Sequence, residues 1–145
     1  MCFTKEFNTR KEAVNASKKP LIARHNYVVY KRVNKTTWGF LSEFRCFEYE
    51  KGFLYEETKL EKIIETPNFY NKQYHLQIHR GLHAYLNKRY INSYGYLVIV
   101  SLIIPKGAKY WLNYDTNEIV TNKLWLPDIP ISKIPNLKTF KQNKK

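Results

Sequence analysis

The run Tyr96 to Pro105, YLVIVSLIIP, constrains this chain more than any other stretch. It is dense in β-branched residues, and it is about half as long as the roughly 20 residues that a membrane helix needs. It therefore reads as a buried strand. Pro105-Lys106-Gly107 is a turn signal that delivers the chain into Lys109 to Leu112. One core strand and its exit are thereby placed.

The other signals are shorter. Thr9 followed by Glu12 matches a capping box, and it opens a helix over Arg10 to Lys18 that Pro20 ends. Asn26 to Val33 (NYVVYKRV) is β-branched and aromatic, as a first strand would be. Phe44 to Glu50 reads as an outer strand that ends near Gly52. Leu60, Ile63 and Ile64 have helical spacing, so Thr58 to Glu65 is a short amphipathic helix or, at this length, a strand. Tyr74 to Tyr90 reads as a strand end, a turn at Gly81 and a short helix from about Leu82. Asp115-Thr116-Asn117 is another turn signal, and Glu118 to Leu126 supplies one strand or a bent pair.

A chain of 145 residues with 43% hydrophobic residues and only 5 Gly and 6 Pro has the composition of one folded domain. The expected class is α+β: an antiparallel or mixed sheet of five to seven strands with one to three short helices. The domain is expected to span residues 1–137. Residues 138–145 are read as a basic tail with little apolar area to bury.

Charge points to the partner. The net charge is +13, distributed as +7 over residues 1–35, −2 over 36–72 and +8 over 73–145. Together with 12 Tyr, 8 Phe and 3 Trp, this invites anionic ligands: guanidinium forks hold phosphate oxygens, and exposed rings stack on bases. The candidate contacts are Lys31, Arg32, Arg80, His83, Tyr85, Lys88, Arg89, Lys106, Lys109 and Tyr110. Trp111 and Trp125, flanked by aliphatic residues, are assigned to the core. Cys2 and Cys46 are too few for a disulfide framework, and no secretory leader or lipidation signal opens the chain, so a reducing cytoplasm without membrane anchoring is expected.

No catalytic residue, metal or cofactor is assigned. His75, His79 and His83 would share one face of a continuous helix, but Gly81 interrupts it and no HExxH pattern is present. Glu48 and Glu50 would face the same way on a strand, an arrangement that acid and base work and a solvated edge share. Cys46 reads as a buried structural thiol. Neither GxGxxG nor GxxxxGK[ST] occurs.

Ile103 to Lys109 (IIPKGAK) resembles a segment of ADP-ribosyltransferases of the arginine-specific toxin type, where a core strand enters a Pro-Lys-Gly turn. Tyr30-Lys31 and Phe40-Leu41-Ser42 extend the resemblance. Where that family carries its catalytic Glu-x-Glu, this chain has Thr121-Asn122-Lys123, with Glu118 the nearest carboxylate. The resemblance implies the scaffold without the activity. Gly81-Leu82-His83-Ala84-Tyr85 ahead of the turn is similar to a stretch in small proteins of bacteriophages and their low-GC hosts. That resemblance, over residues 26–127, implies a phage-encoded protein acting in the host cytoplasm against host defence. Three functions follow as expectations: a non-enzymatic binder of nucleic acid or a signalling nucleotide, an inhibitor that docks on a host nuclease or defence protein, and a divergent NAD-dependent transferase using Tyr30, Lys31, Ser42 and Glu118. A homodimer is compatible with any of them.

Overall fold

From the N-terminus the chain forms strand β1 (Phe3–Phe7), helix α1 (Arg10–Lys18), and strands β2 (Leu21–Ile22), β3 (Asn26–Lys35), β4 (Phe40–Ser42), β5 (Glu48–Tyr49), β6 (Leu54–Glu56) and β7 (Glu61–Glu65). Strands β8 (Tyr74–Arg80), β9 (Leu82–Tyr85), β10 (Leu97–Ile104), β11 (Lys109–Asn113), β12 (Glu118–Thr121), β13 (Lys123–Trp125) and β14 (Leu137–Thr139) complete it. The computed structural model describes residues 3–35, 39–42, 48–67, 72–91 and 97–141.

Strand β3 is the hub. One of its edges pairs with the whole of β10, from Leu97↔Asn34 to Ile104↔Tyr27. The other edge is shared by three partners: β14 runs parallel to its start, β9 meets it at Tyr30↔Tyr85, and β4 pairs with its end. The apolar run thus takes the central place expected of it, and Gly107, with φ +94°, makes the turn after it.

The sheet curves back on itself. Its order is β2-β11-β12-β9-β3-β10-β13-β6, yet β12 and β13 are separated only by Asn122. They are two halves of one bent stretch, so a closed circuit runs from β12 through β9, β3 and β10 to β13. The inside of the curve holds the largest core cluster, where Val29, Leu102, Ile104, Ile119 and Leu124 are wholly buried. Each such side chain contributes about 1.5–3 kcal/mol on leaving water.

A three-stranded sheet, β1-β8-β7, covers part of the outer face: Phe3, Leu76 and Ile78 pack on Trp111 and Val120. Elsewhere on that face Ile134, with Ile131 and Leu137 beside it, packs on Val28 and Ile103. Helix α1 begins where the capping box places it, with Thr9 Oγ1 accepting from the Glu12 N–H at 3.2 Å. Its terminal carbonyls are satisfied from outside. Trp111 Nε1 donates to Ala16 O and Lys62 Nζ to Ser17 O, both at 2.7 Å.

These observations correct the expected α+β class. Among the described residues strand occupies 52% and helix 12%, and a sheet of eleven strands, a second of three and one α-helix replace the expected sheet of five to seven strands with up to three helices. Among the strands of that sheet, β2, β4, β6 and β14 were not expected, because each is two or three residues long and too short for periodicity to detect. Residues 61–65 are a strand. The helix expected from Leu82 is strand β9, whose Leu82 and Ala84 are buried while His83 and Tyr85 are not. Strand β14 pairs with β3, and Phe140 just after it stacks on Tyr27. Of the expected strand Phe44 to Glu50, residues 43–47 lie outside the described residues, as do Cys2 and Cys46. No described helix is long and apolar enough to cross a membrane.

Candidate functional site

The bend at Asn122 creates the site. Asn122 N–H donates to Lys109 O on β11 at 3.2 Å, and Asn122 C=O accepts from Glu57 N–H just beyond β6 at 2.9 Å. Both groups of one residue point to the same side of a strand, so β11 and β6 approach that side together and diverge from Asn122. The wedge between them is a cleft of about 450 Å³, lined by Lys18, Lys62, Lys109, Trp111, Glu56 and Glu57 among others.

Its cations and acids differ in how they are engaged. Glu57 is held by Arg80, Nε to Oε1 3.1 Å, and by the Lys59 N–H at the same distance. Glu56 faces Lys123 at 3.9 Å. Lys18 and Lys109 have no acidic partner among the described residues. Lys62 Nζ lies 5.0 Å from the centre of the Trp111 ring while it caps α1. Partial burial, and then the Lys109 charge, hold the Lys62 ammonium below its ordinary pKa. Lys18, Lys62 and Lys109 thus share the lining of one cleft with Glu56 and Glu57, whose carboxylates also face Lys123 and Arg80.

The ten candidate residues do not converge. Only Lys109 lines this cleft. Lys31 points into the core side of the sheet, donating to His83 O at 2.6 Å and lying 5.6 Å from the Tyr49 ring centre. Arg32 follows it on β3 and faces the opposite way. Arg80 is tied to Glu57 and, at 3.9 Å, to Glu61. Lys88 lies 6.0 Å from the Tyr30 ring centre, and Arg89 shares its 3₁₀ turn at the surface. Lys106 is exposed in the glycine turn, where its N–H donates to Asn26 Oδ1. Tyr110 is buried in the core cluster, 5.4 Å from Phe140, and burial raises its hydroxyl pKa.

The three histidines are dispersed. His75 lies 3.5 Å from Glu6, His79 follows on the same face of β8, and His83 sits on β9 with Nδ1 3.1 Å from Gly81 O and Nε2 3.0 Å from Ile78 O. Burial pushes the His83 pKa down to about 4, against the pull of those two carbonyls and assisted by Lys31. A neutral ring donates to only one of them. No group of three metal-ligating side chains occurs among the described residues.

Across the outer face, Tyr30, Tyr85 and Glu118 form one row, since Tyr30 pairs with Tyr85 and Tyr85 with Glu118. The residues directly opposite Glu118 are Tyr85 and Asn113, neither of them an acid. Burial raises the Glu118 pKa, and its Oε2 is buried with no hydrogen-bond partner among the described residues. Tyr30 and Lys31 point to opposite faces of β3, so the four residues of the transferase expectation do not share one face.

The chain matches no family model, no curated protein and no solved structure. Sequence reasoning missed Lys18, Lys62 and Asn122. Pro20 after the Lys18-Lys19 pair was the one available hint that these lysines end a helix at a surface.

Proposed function

We propose that the protein binds an anionic ligand without transforming it, using Lys18, Lys62 and Lys109 as the cationic wall of the cleft. The supporting observation is that Lys62 and Lys109 line one cleft, where the Lys109 charge adds to burial in disfavouring the Lys62 ammonium. A phosphate or carboxylate entering the cleft relieves that cost. The ligand is a nucleic acid strand or a signalling nucleotide. The similarity to phage proteins extends this to a phage-encoded antagonist of defence in the host cytoplasm.

Titration with a nucleoside triphosphate and with a single-stranded oligonucleotide tests it. Binding of at least one, weakened tenfold or more by Lys109→Glu and unaffected by Lys88→Glu, is the expected result. If the oligonucleotide bridges all three lysines, its affinity falls by about two log units per log unit of salt. Failure of both probes to bind, or wild-type binding by Lys109→Glu and Lys18→Glu, overturns the proposal.

A second reading rests on the sheet's edges. Leu21 and Ile22 on edge strand β2 are 53% and 52% exposed, and Phe53 and Leu54 at edge strand β6 are 55% and 54% exposed. Apolar side chains beside an unpaired strand edge favour a protein partner added as a further strand.

A further inference from the structure

Beside the lysine cleft, across the Trp111 indole, lies a smaller and more apolar pocket of about 140 Å³. Its origin is in the sequence. Strand β2 pairs with β11 only at Leu21↔Tyr110 and Ile22↔Lys109, because Pro20 lacks the N–H that pairing needs and the chain leaves for α1. The edge of β11 beyond Tyr110 is left open. Leu112 C=O on that edge accepts from Lys5 Nζ at 3.3 Å instead of from a strand neighbour.

Phe7, Ala16, Leu76, Trp111 and Leu112 line the pocket, together with Lys5 and Lys19. Leu76 and Trp111 are buried and belong to the second core cluster, so the pocket floor is part of the packed core. Lys19 is exposed and has no acidic partner among the described residues. Among the described residues Lys5 makes one of the three hydrogen bonds its ammonium can donate, and it lies 6.0 Å from the centre of the Phe7 ring. An apolar cavity of this size takes one six-membered ring.

We propose that this pocket binds a small organic acid whose apolar part is a single ring, with the ring against Phe7, Leu76 and Leu112 and the carboxylate between Lys5 and Lys19. The site differs from the lysine cleft in lining and in ligand. Apolar contact supplies the affinity, and the two ammonium groups select for negative charge. Lys18 and Pro20 line the cleft while Lys19 and Leu21 line this pocket, so the turn from the end of α1 into β2 borders both sites.

Benzoate is the probe, with acetate and benzyl alcohol as the ringless and uncharged controls, followed by amide chemical shifts in the full chain. Benzoate is expected to bind at least tenfold tighter than either control and to move the Phe7, Leu21 and Leu112 amides. Lys19→Glu, an exposed change, should weaken benzoate tenfold or more without altering the melting temperature, and Lys5→Gln should weaken it less. Ala16→Leu, which fills the pocket, should abolish binding. Benzoate binding no tighter than acetate or benzyl alcohol, undisturbed amides at those three positions, or wild-type affinity in Lys19→Glu would each overturn the assignment. Lys109→Glu serves as the control that separates the two sites, because it removes anion binding in the cleft and leaves benzoate unaffected.

Discussion

Phe140 stacks on Tyr27 with 4.2 Å between ring centroids and 17° between ring planes. Phe140 also meets Tyr110 edge-on at 5.4 Å, so a residue near the C-terminal end closes an aromatic group on the first long strand. Phe140→Ala should cost about 1–3 kcal/mol in urea unfolding, from lost ring contacts and partial burial. Deleting residues 138–145 should cost more, because it also removes the Lys138 and Thr139 pairings with β3. Lys141→Ala should be silent within about 0.5 kcal/mol. A truncated chain as stable as the full one would show that β14 is dispensable.

Gly81 sits where β8 gives way to β9, and a Cβ placed there would come within 2.5 Å of Val120 Cγ2 and 2.9 Å of Leu60 Cδ2. Gly81→Ala should therefore destabilise by about 1–3 kcal/mol through overpacking. Gly107→Ala meets no neighbour within 4 Å but carries φ +94°, so its cost is backbone strain of about 1 kcal/mol. Thermal melts of the two variants should rank Gly81→Ala as the less stable.

His83 should make the protein sensitive to mild acid. Its folded pKa of about 4 lies below the unfolded value near 6.5, so the unfolded chain binds the extra proton first. Stability from the neutral ring is complete above pH 6.5 and is lost as pH falls toward 4. Between pH 7 and pH 5 this amounts to about 1–2 kcal/mol. Urea midpoints at the two pH values should differ clearly in the wild type and much less in His83→Gln; equal shifts in both would remove His83 as the cause.

Glu118 acts in the opposite sense. Its pKa is raised by burial, so the stability that its protonated form contributes is present below the unfolded carboxyl pKa and lost as pH rises. Glu118→Gln keeps the shape and removes the desolvated charge, so it should raise the melting temperature at pH 7 by a few degrees and change little at pH 4. A lower melting temperature at pH 7 would mean that Glu118 has a cationic partner that stabilises it.

Local chemistry was legible where a short segment carries its own signal. The capping box at Thr9, the turns at Pro105-Lys106-Gly107 and Asp115-Thr116-Asn117, and the long strand at Leu97–Ile104 needed only neighbouring residues. Burial of Trp111 followed from its aliphatic flanks. The candidate contacts rest on residue type alone, and the fold engages several of them elsewhere: Arg80 with Glu57, Lys31 with the His83 carbonyl, Tyr110 in the core.

By itself, then, the sequence determined where the chain turns, which run forms the long central strand, and that the net charge is cationic. The tertiary structure decided which cations meet. Lys18, Lys62 and Lys109 come from a helix end and two strands far apart in sequence, and they share a cleft because Asn122 bends one strand so that its neighbours diverge. Two- and three-residue strands such as β2 and β6 likewise exist only because long-range partners supply their hydrogen bonds. A local pattern cannot encode a pairing whose free energy depends on residues 50 or 100 positions away, and here both the number of strands and the location of the site rest on such pairings.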